Sequence, residues 1–454
     1  MENDAKILYR QVKRVRAGQT ERFRITYTPS QIGNLSSLWV KVKNTQLIAL
    51  RAAYLVGPYV LYVDCKAHDY DSNEKYFITA DQPVFEPQLS PGQSFYMELS
   101  CHTMKPSYCW VVDVVSQILF NNTIDIDFEI TVATSKSILH DMSFPETKVA
   151  NCDKLGAFVP STVLTVHEFD TLDLWNLPVP QPDKPIHLVI LTHGLHSNVS
   201  ADMMYLKEQI DKQQLENVVV KGYFGNIGKT ERGIKYLGSR VAEFIVELVT
   251  KNETFNDGKV TKISFIGHSL GGLVQTFAIA YIQVNFPWLF EQIQPVNFIA
   301  LASPLLGIVN ENPVFVKLAL LAGIVGKTGQ DIGLKFVEFD SKPLLYLLPS
   351  GPTHTILKRF RRRTVYANAI NDGIVPLRTS SLLYLDYKGI SELFNTTIND
   401  TSTHTGKIPN QETVLPEANN KFLVQAMLSF FMPQKHQRKP DDTYLKFQTN
   451  EPGS

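Results

Sequence analysis

Gly267-His268-Ser269-Leu270-Gly271-Gly272 follows the apolar run Ile263-Ser264-Phe265-Ile266, a spacing suited to attack on a carbonyl carbon. A nucleophilic serine must stand clear of its sheet in a sharp strand-to-helix turn, and Gly267 and Gly271 allow strand and helix to approach closely. The hydroxyl then lies at a helix N-terminus, where free backbone N–H groups stabilise an oxyanion. The competing explanation is a helix-entry turn with a capping serine. Upstream, the run Ile186–Thr192 ends in His193-Gly194-Leu195-His196-Ser197-Asn198. The N–H groups of Gly194 and Leu195, paired with that of Leu270, are the candidate oxyanion donors. A strand-ending turn with a hydrogen-bonded histidine is the alternative there.

A hydrolytic serine also needs an orienting acid and a base. Asp372, in Asn371-Asp372-Gly373 behind the apolar stretch Thr364–Ile370, has the position of a carboxylate at the C-terminal end of a sheet strand. Asn-Asp-Gly equally encodes a tight hairpin turn. Asp331 and Asp340 are weaker candidates, in a segment that reads as an insertion. The order serine, acid, histidine leaves His404 and His436 as bases. His404 is the preferred one, in the polar loop Asp400–Gly406, where an idle surface histidine is the rival reading; a base missing from the chain is the other. His268 adjoins the serine, so its side chain should point away and suit a core or supporting role.

The elements that must position these residues begin at 186, where short apolar runs alternate with helical segments, the pattern of a mostly parallel sheet. Strands are expected at Ile186–Thr192, Val218–Phe224, Ile263–Ile266, Val296–Ala302 and Thr364–Ile370, and helices at Asp202–Gln213, Ile234–Leu248, Gly271–Asn285 and Val314–Leu321. Residues 1–140 have another texture: Phe23–Tyr27, Leu38–Val42, Tyr59–Val63 and Phe128–Val132 are strand-like in β-branched and aromatic content. They suggest a smaller β-rich, sandwich-like domain, with Leu50–Tyr54 and Val112–Leu119 as stretches that also suit helices. Residues 141–185 read as a linker with lead-in strands, 186–433 as the α/β domain, and 434–454 as a polar tail.

The 454-residue chain is long enough for two domains. Its formal net charge of zero gives no global field to attract nucleic acid. The four cysteines lack metal or disulfide spacing, so reduced thiols, no metal and no cofactor are expected. The N-terminus lacks a secretory apolar segment, and no run is long enough to span a bilayer, which makes a cytoplasmic location the expectation. Pro304–Val309 with Val314–Val325 suggests a lid or acyl channel, or else a core helix. Lys358–Arg363, a basic run around Phe360, would attract an anionic lipid surface or form a solvated strand approach. Phe422–Met432 would dip into lipid or pack on the sheet.

The blocks Leu188–Asn198, Lys229–Ile234, Gly267–Gly272 and Asn371–Ser380 together resemble the fungal putative serine esterase family, which includes yeast monoacylglycerol lipases and lipid-droplet phospholipases. The first block is similar to the histidine–glycine loop of lipases. The likeness covers about residues 141–390, and the β-rich region, including Leu50–Tyr59, looks like the accompanying domain of longer members. The resemblance implies an α/β-hydrolase fold, Ser269 as nucleophile and Asp372 as acid. It assigns no histidine, since no block here matches the later sequence that carries the candidate in longer relatives. It further implies cleavage of lipid esters, monoacylglycerol foremost, at a membrane or lipid-droplet surface. A phospholipase of the same fold, or a catalytically silent scaffold binding membrane or partners, are the alternatives.

Overall fold

The computed structural model describes residues 7–29, 37–52, 59–71, 74–75, 81–116, 124–140, 163–213, 217–308, 326–335, 342–370 and 372–382. Val314–Leu321, Asp340, His404, His436, Phe422–Met432 and the 434–454 tail lie outside them.

Among the described residues the chain opens with eight strands: β1 (Ile7–Arg16), β2 (Thr20–Tyr27), β3 (Ser37–Asn44), β4 (Leu61–Ala67), β5 (Val84–Leu89), β6 (Ser94–Ser100), β7 (Tyr108–Ser116) and β8 (Asp125–Ala133). Leu38, Val40 and Val42 of β3 and Ile126, Phe128, Ile130 and Val132 of β8 are buried at every second position, so each strand turns one face inward. One antiparallel sheet has the order β1-β8-β3-β6. The other runs β5-β4-β7-β2 and gains a fifth strand, β9 (Leu164–Phe169), antiparallel to β2. The two sheets share one apolar core, a sandwich.

Two stretches suited to helices differ in outcome. Val112–Ser116 lies in β7, paired to β2 and β4 and buried along almost its whole length. A strand covered on both faces loses its polar alternation and imitates a helical apolar run. Ile48–Ala52 is a short 3-10 turn.

The lead-in segment therefore returns to the sandwich before the second domain begins. After β9, Asp170 and Asp173 form a reciprocal capping box on α2 (Thr171–Asn176). Leu174 and Trp175 of α2 are buried in the α/β domain. Trp175 Nε1 donates to Ser200 Oγ at 3.1 Å, and a Cβ on Gly222 would come within 2.8 Å of its ring.

The α/β domain holds a five-stranded parallel sheet of β10 (Ile186–Thr192), β11 (Val218–Gly222), β12 (Val260–His268), β13 (Gln294–Leu301) and β14 (Arg362–Tyr366), in the order β11-β10-β12-β13-β14. Neighbouring residues of β10 supply opposite faces. Leu188 and Ile190 meet α4 (Ile234–Lys251) and α5 (Leu270–Asn285) in one core. Val189 and Leu191 meet α2 and α3 (Val199–Gln213) in the other. Helices on both faces explain why these strands read as unbroken apolar runs.

The domains meet along α3. Arg22 of β2 makes a two-pronged contact with Asp113 at 2.6 and 2.7 Å and reaches Glu208 of α3 at 2.5 Å. Ile227, from the α/β domain, completes the sandwich core.

Candidate active site

Ser269 stands between β12 and α5 with φ 51° and ψ −122°, a backbone conformation that L-residues avoid unless the surroundings impose it. Its N–H donates to Leu301 O of β13 at 2.8 Å, and its carbonyl accepts from Gly272 N at 3.1 Å. The hydroxyl makes no capping bond to α5. Two close approaches enforce the turn. A Cβ on Gly267 would fall 2.4 Å from Gly271 C, and one on Gly271 would fall 2.2 Å from Thr192 O. Both obstacles are backbone, so neither yields by a rotamer change. Gln275 of α5, fully buried, ties the sheet below with Nε2 bonds to Ile190 O, Thr192 Oγ1 and Ile266 O at 2.9–3.0 Å.

The loop after β10 passes directly over the serine, and a Cβ on Gly194 would lie 3.1 Å from Ser269 Cβ. One of the three candidate oxyanion donors needs correction. The Gly194 N–H donates to Asp202 Oδ2 at 2.8 Å, so it is turned away from the reacting carbon. The N–H groups of Leu195 and Leu270 have no acceptor among the described residues. The peptide that carries the Leu195 N–H is itself held, because its carbonyl, Gly194 O, lies 2.9 Å from His193 Nδ1. His196 N–H donates to Thr230 Oγ1 at 3.0 Å, which gives the Lys229–Ile234 block a part in shaping this loop.

Asp202, on the first turn of α3, has a role that its sequence position did not show. Besides Gly194 it accepts from Ser197 Oγ at 2.5 Å and pairs with His268 Nδ1 at 3.0 Å. Burial raises the Asp202 pKa, but the His268 bond and charge, with the Ser197 and Gly194 bonds, hold it below the usual carboxylate range. Burial likewise works against His268 being charged, yet the bond to Asp202 and the charges of Asp202 and Asp372 raise its pKa overall. His193 is 3% exposed and held low, chiefly by burial. His268 thus has the supporting position expected of it, with a named partner.

Asp372 follows β14, and its charge is felt at His268 across the top of the sheet. Its Oδ1 accepts from the N–H groups of Ile374 and Val375 at 3.1 and 2.9 Å, and Oδ2 from Asn368 Nδ2 at 2.9 Å. The same carboxylate therefore shapes the turn after β14 and adds negative charge near His268. His404, the base assigned from chain order, is outside the described residues. Asp331 is a structural group: on helix α7 (Gly326–Ile332), 1% exposed, it accepts from Ile234 N at 2.9 Å and caps α4 from a distance.

Two of the five cations in the basic run, Arg359 and Arg363, bond to backbone carbonyls within the fold. Arg359 donates to Phe290 O, and Arg363 donates to Leu357 O and Phe360 O at 3.0 and 2.9 Å. Phe360 is 2% exposed among Phe265, Phe290 and Phe298. Among the described residues no cluster of three metal-binding side chains occurs, and no helix is long and apolar enough to cross a membrane.

The strained Ser269 turn, the bonded loop above it and the Asp372 carboxylate thus all stand at the C-terminal ends of strands of the parallel sheet. Residues 182–382 match the family described as "Putative serine esterase". The chain is 47% identical over 456 residues to the putative lipase ROG1 of Saccharomyces cerevisiae, covering 94% of this chain and 63% of that protein. It is 49% identical to the putative lipase YDL109C of the same yeast (84% and 59% covered) and 38% identical to the putative lipase C4A8.10 of Schizosaccharomyces pombe (76% and 43%). The chain thus spans about three fifths, or less, of the length of these relatives. A solved acetyl xylan esterase from Butyrivibrio proteoclasticus aligns at 9% identity and a TM-score of 0.27, covering 88% of this chain and 96% of that one, too slight a likeness to carry weight.

Proposed function

We propose that this chain is an α/β-hydrolase that cleaves carboxylic esters of lipids, with monoacylglycerol as the leading substrate and work at a membrane or lipid-droplet surface. The observation that carries the reading is Ser269 held at φ 51°, uncapped, beneath the loop that carries the Leu195 N–H, which like that of Leu270 has no acceptor among the described residues. The serine attacks the acyl carbonyl while a histidine, assigned to His404, takes its proton; Asp372 orients that imidazole. The Leu195 and Leu270 N–H groups receive the negative oxygen, and water then releases the fatty acid. The order β11-β10-β12-β13-β14, with the serine after the central strand and the acid after the edge strand, supports this fold assignment. The lipase names of the yeast relatives support a lipid ester.

A fluorophosphonate probe on the purified chain tests the reading. Wild type should label and Ser269→Ala should not, and His404→Ala should lose at least 100-fold in rate, the scale of general-base catalysis (about 10²–10⁴-fold). Release of fatty acid from monoacylglycerol and from a lysophospholipid in mixed micelles ranks the two substrates. No labelling of wild type would instead favour the silent scaffold.

A further inference from the structure

We propose that Asp202 is a positioning residue for this reaction: with His268 it clamps the oxyanion loop onto the nucleophile turn, so that the Leu195 N–H faces the oxygen on the carbon attacked by Ser269. The inference rests on the hydrolase reading above. Three donors from two segments converge on this one carboxylate. Gly194 N–H and Ser197 Oγ come from the loop after β10, and His268 Nδ1 comes from the end of β12, one residue before the nucleophile. Removing Asp202 therefore severs the loop from the turn rather than deleting a single bond.

The loop geometry shows what the clamp holds. The His193–Gly194 peptide is fixed by its N–H to Asp202, and the Leu195–His196 peptide by its N–H to Thr230. Between them lies the Gly194–Leu195 peptide, whose carbonyl faces His193 Nδ1 and whose N–H has no acceptor among the described residues. Because a peptide plane directs its C=O and N–H in opposite directions, holding the carbonyl aims the N–H. An uncommitted donor set between two restrained peptides is preorganised for charge that develops only in the transition state. Asp202 itself never touches substrate in this scheme; it acts through the backbone of Gly194 and Leu195.

His268 adds its charge to the clamp. The titratable groups around it are Asp202 from α3, Asp372 beyond β14 and His193 beyond β10. The two carboxylates favour the protonated ring against its burial, His193 being held neutral by its own burial, and the Asp202–His268 contact is then a charge-assisted bond across the turn.

The test uses p-nitrophenyl butyrate hydrolysis by the full chain, with rates normalised to active sites titrated by a fluorophosphonate. Asp202→Asn should lower kcat per titrated site by about 10²–10³-fold, the loss seen when one oxyanion donor is removed, with KM within about twofold. The inhibition constant of a trifluoromethyl ketone, which forms a tetrahedral oxyanion on the serine, should rise by the same factor as kcat/KM falls. His268→Gln keeps the Gly194 and Ser197 bonds and should give a smaller loss in the same direction; it serves as the second variant if Asp202→Asn folds poorly. A merely structural role would reduce the titratable fraction while leaving kcat per site and ketone affinity unchanged in both variants, and that result overturns the clamp. Wild type without Ser269-dependent hydrolysis overturns the hydrolase reading and the clamp with it.

Discussion

Replacing Ser269 with glycine should make the protein more stable than replacing it with alanine, the reverse of the usual order. Both changes delete the hydroxyl, so the comparison isolates the backbone. At φ 51°, ψ −122° a residue with a Cβ stores about 1–3 kcal/mol of strain, and glycine escapes it. Against this, glycine gives the unfolded chain extra freedom worth roughly 0.4–1 kcal/mol. The difference leaves glycine ahead by about 1–2 kcal/mol, the central range of those two terms. Thermal melts of the two inactive variants at one pH read this as a midpoint about 2–8 °C higher for Ser269→Gly, at roughly 2–4 °C per kcal/mol for a domain of this size. Wild type should melt close to Ser269→Ala, because the hydroxyl makes no capping bond. If alanine proves as stable as glycine, or more so, the turn is not strained and the argument for an imposed nucleophile conformation fails.

Two further outcomes follow from the same region. Gly271→Ala places a Cβ 2.2 Å from Thr192 O, and overpacking against backbone should cost about 3 kcal/mol, the upper end of its usual range. The forced displacement of α5 should also cost about 100-fold in kcat/KM with p-nitrophenyl butyrate, as a shift near 1 Å does elsewhere; an unchanged melt and rate would contradict the close packing. For pH, the His268 pKa is raised above its ordinary 6.5, so that pairing is fully present below 6.5 and is lost as pH rises through the folded value. The Asp202 pKa is held below 3.8, so its contribution is present above 3.8 and is lost as pH falls through the folded value. Melts of wild type and His268→Gln should therefore diverge most between these limits and converge toward alkaline pH; parallel curves across the whole range would show that the pair is not coupled to folding.

Much of the α/β domain was legible in the amino-acid order. Ile186–Thr192 is a strand with the bounds expected of it, because a run of branched apolar residues closed by His-Gly leaves little choice of length. The glycines around Ser269 were equally direct, since each answers a steric demand that only glycine meets. The long-range partners were not legible. Asp202 reads as an ordinary acidic residue in a helix first turn, where the dipole alone would explain it. Its pairing with His268, 66 positions away, depends on how α3 packs. Gly194 looked like a donor because of its place beside the serine, but which way a peptide plane turns is decided by its bonding partners. β9 likewise carries no mark that its pairing partner is β2 rather than a strand of the domain that follows.

The placing of Trp175 bears on how this molecule can be divided. The family match begins at residue 182, yet the indole that closes the floor of the α/β domain comes from α2, seven positions earlier, and α2 is anchored to β2 by a reciprocal Thr20–Thr171 pair at 2.7 and 3.0 Å. A fragment cut at the family boundary would expose an apolar pit beneath β11 and α3 and invite aggregation. One cut farther upstream would carry β9 away from its sheet and leave the edge of β2 bare. The two halves are dovetailed, and neither can be excised without taking a piece of the other.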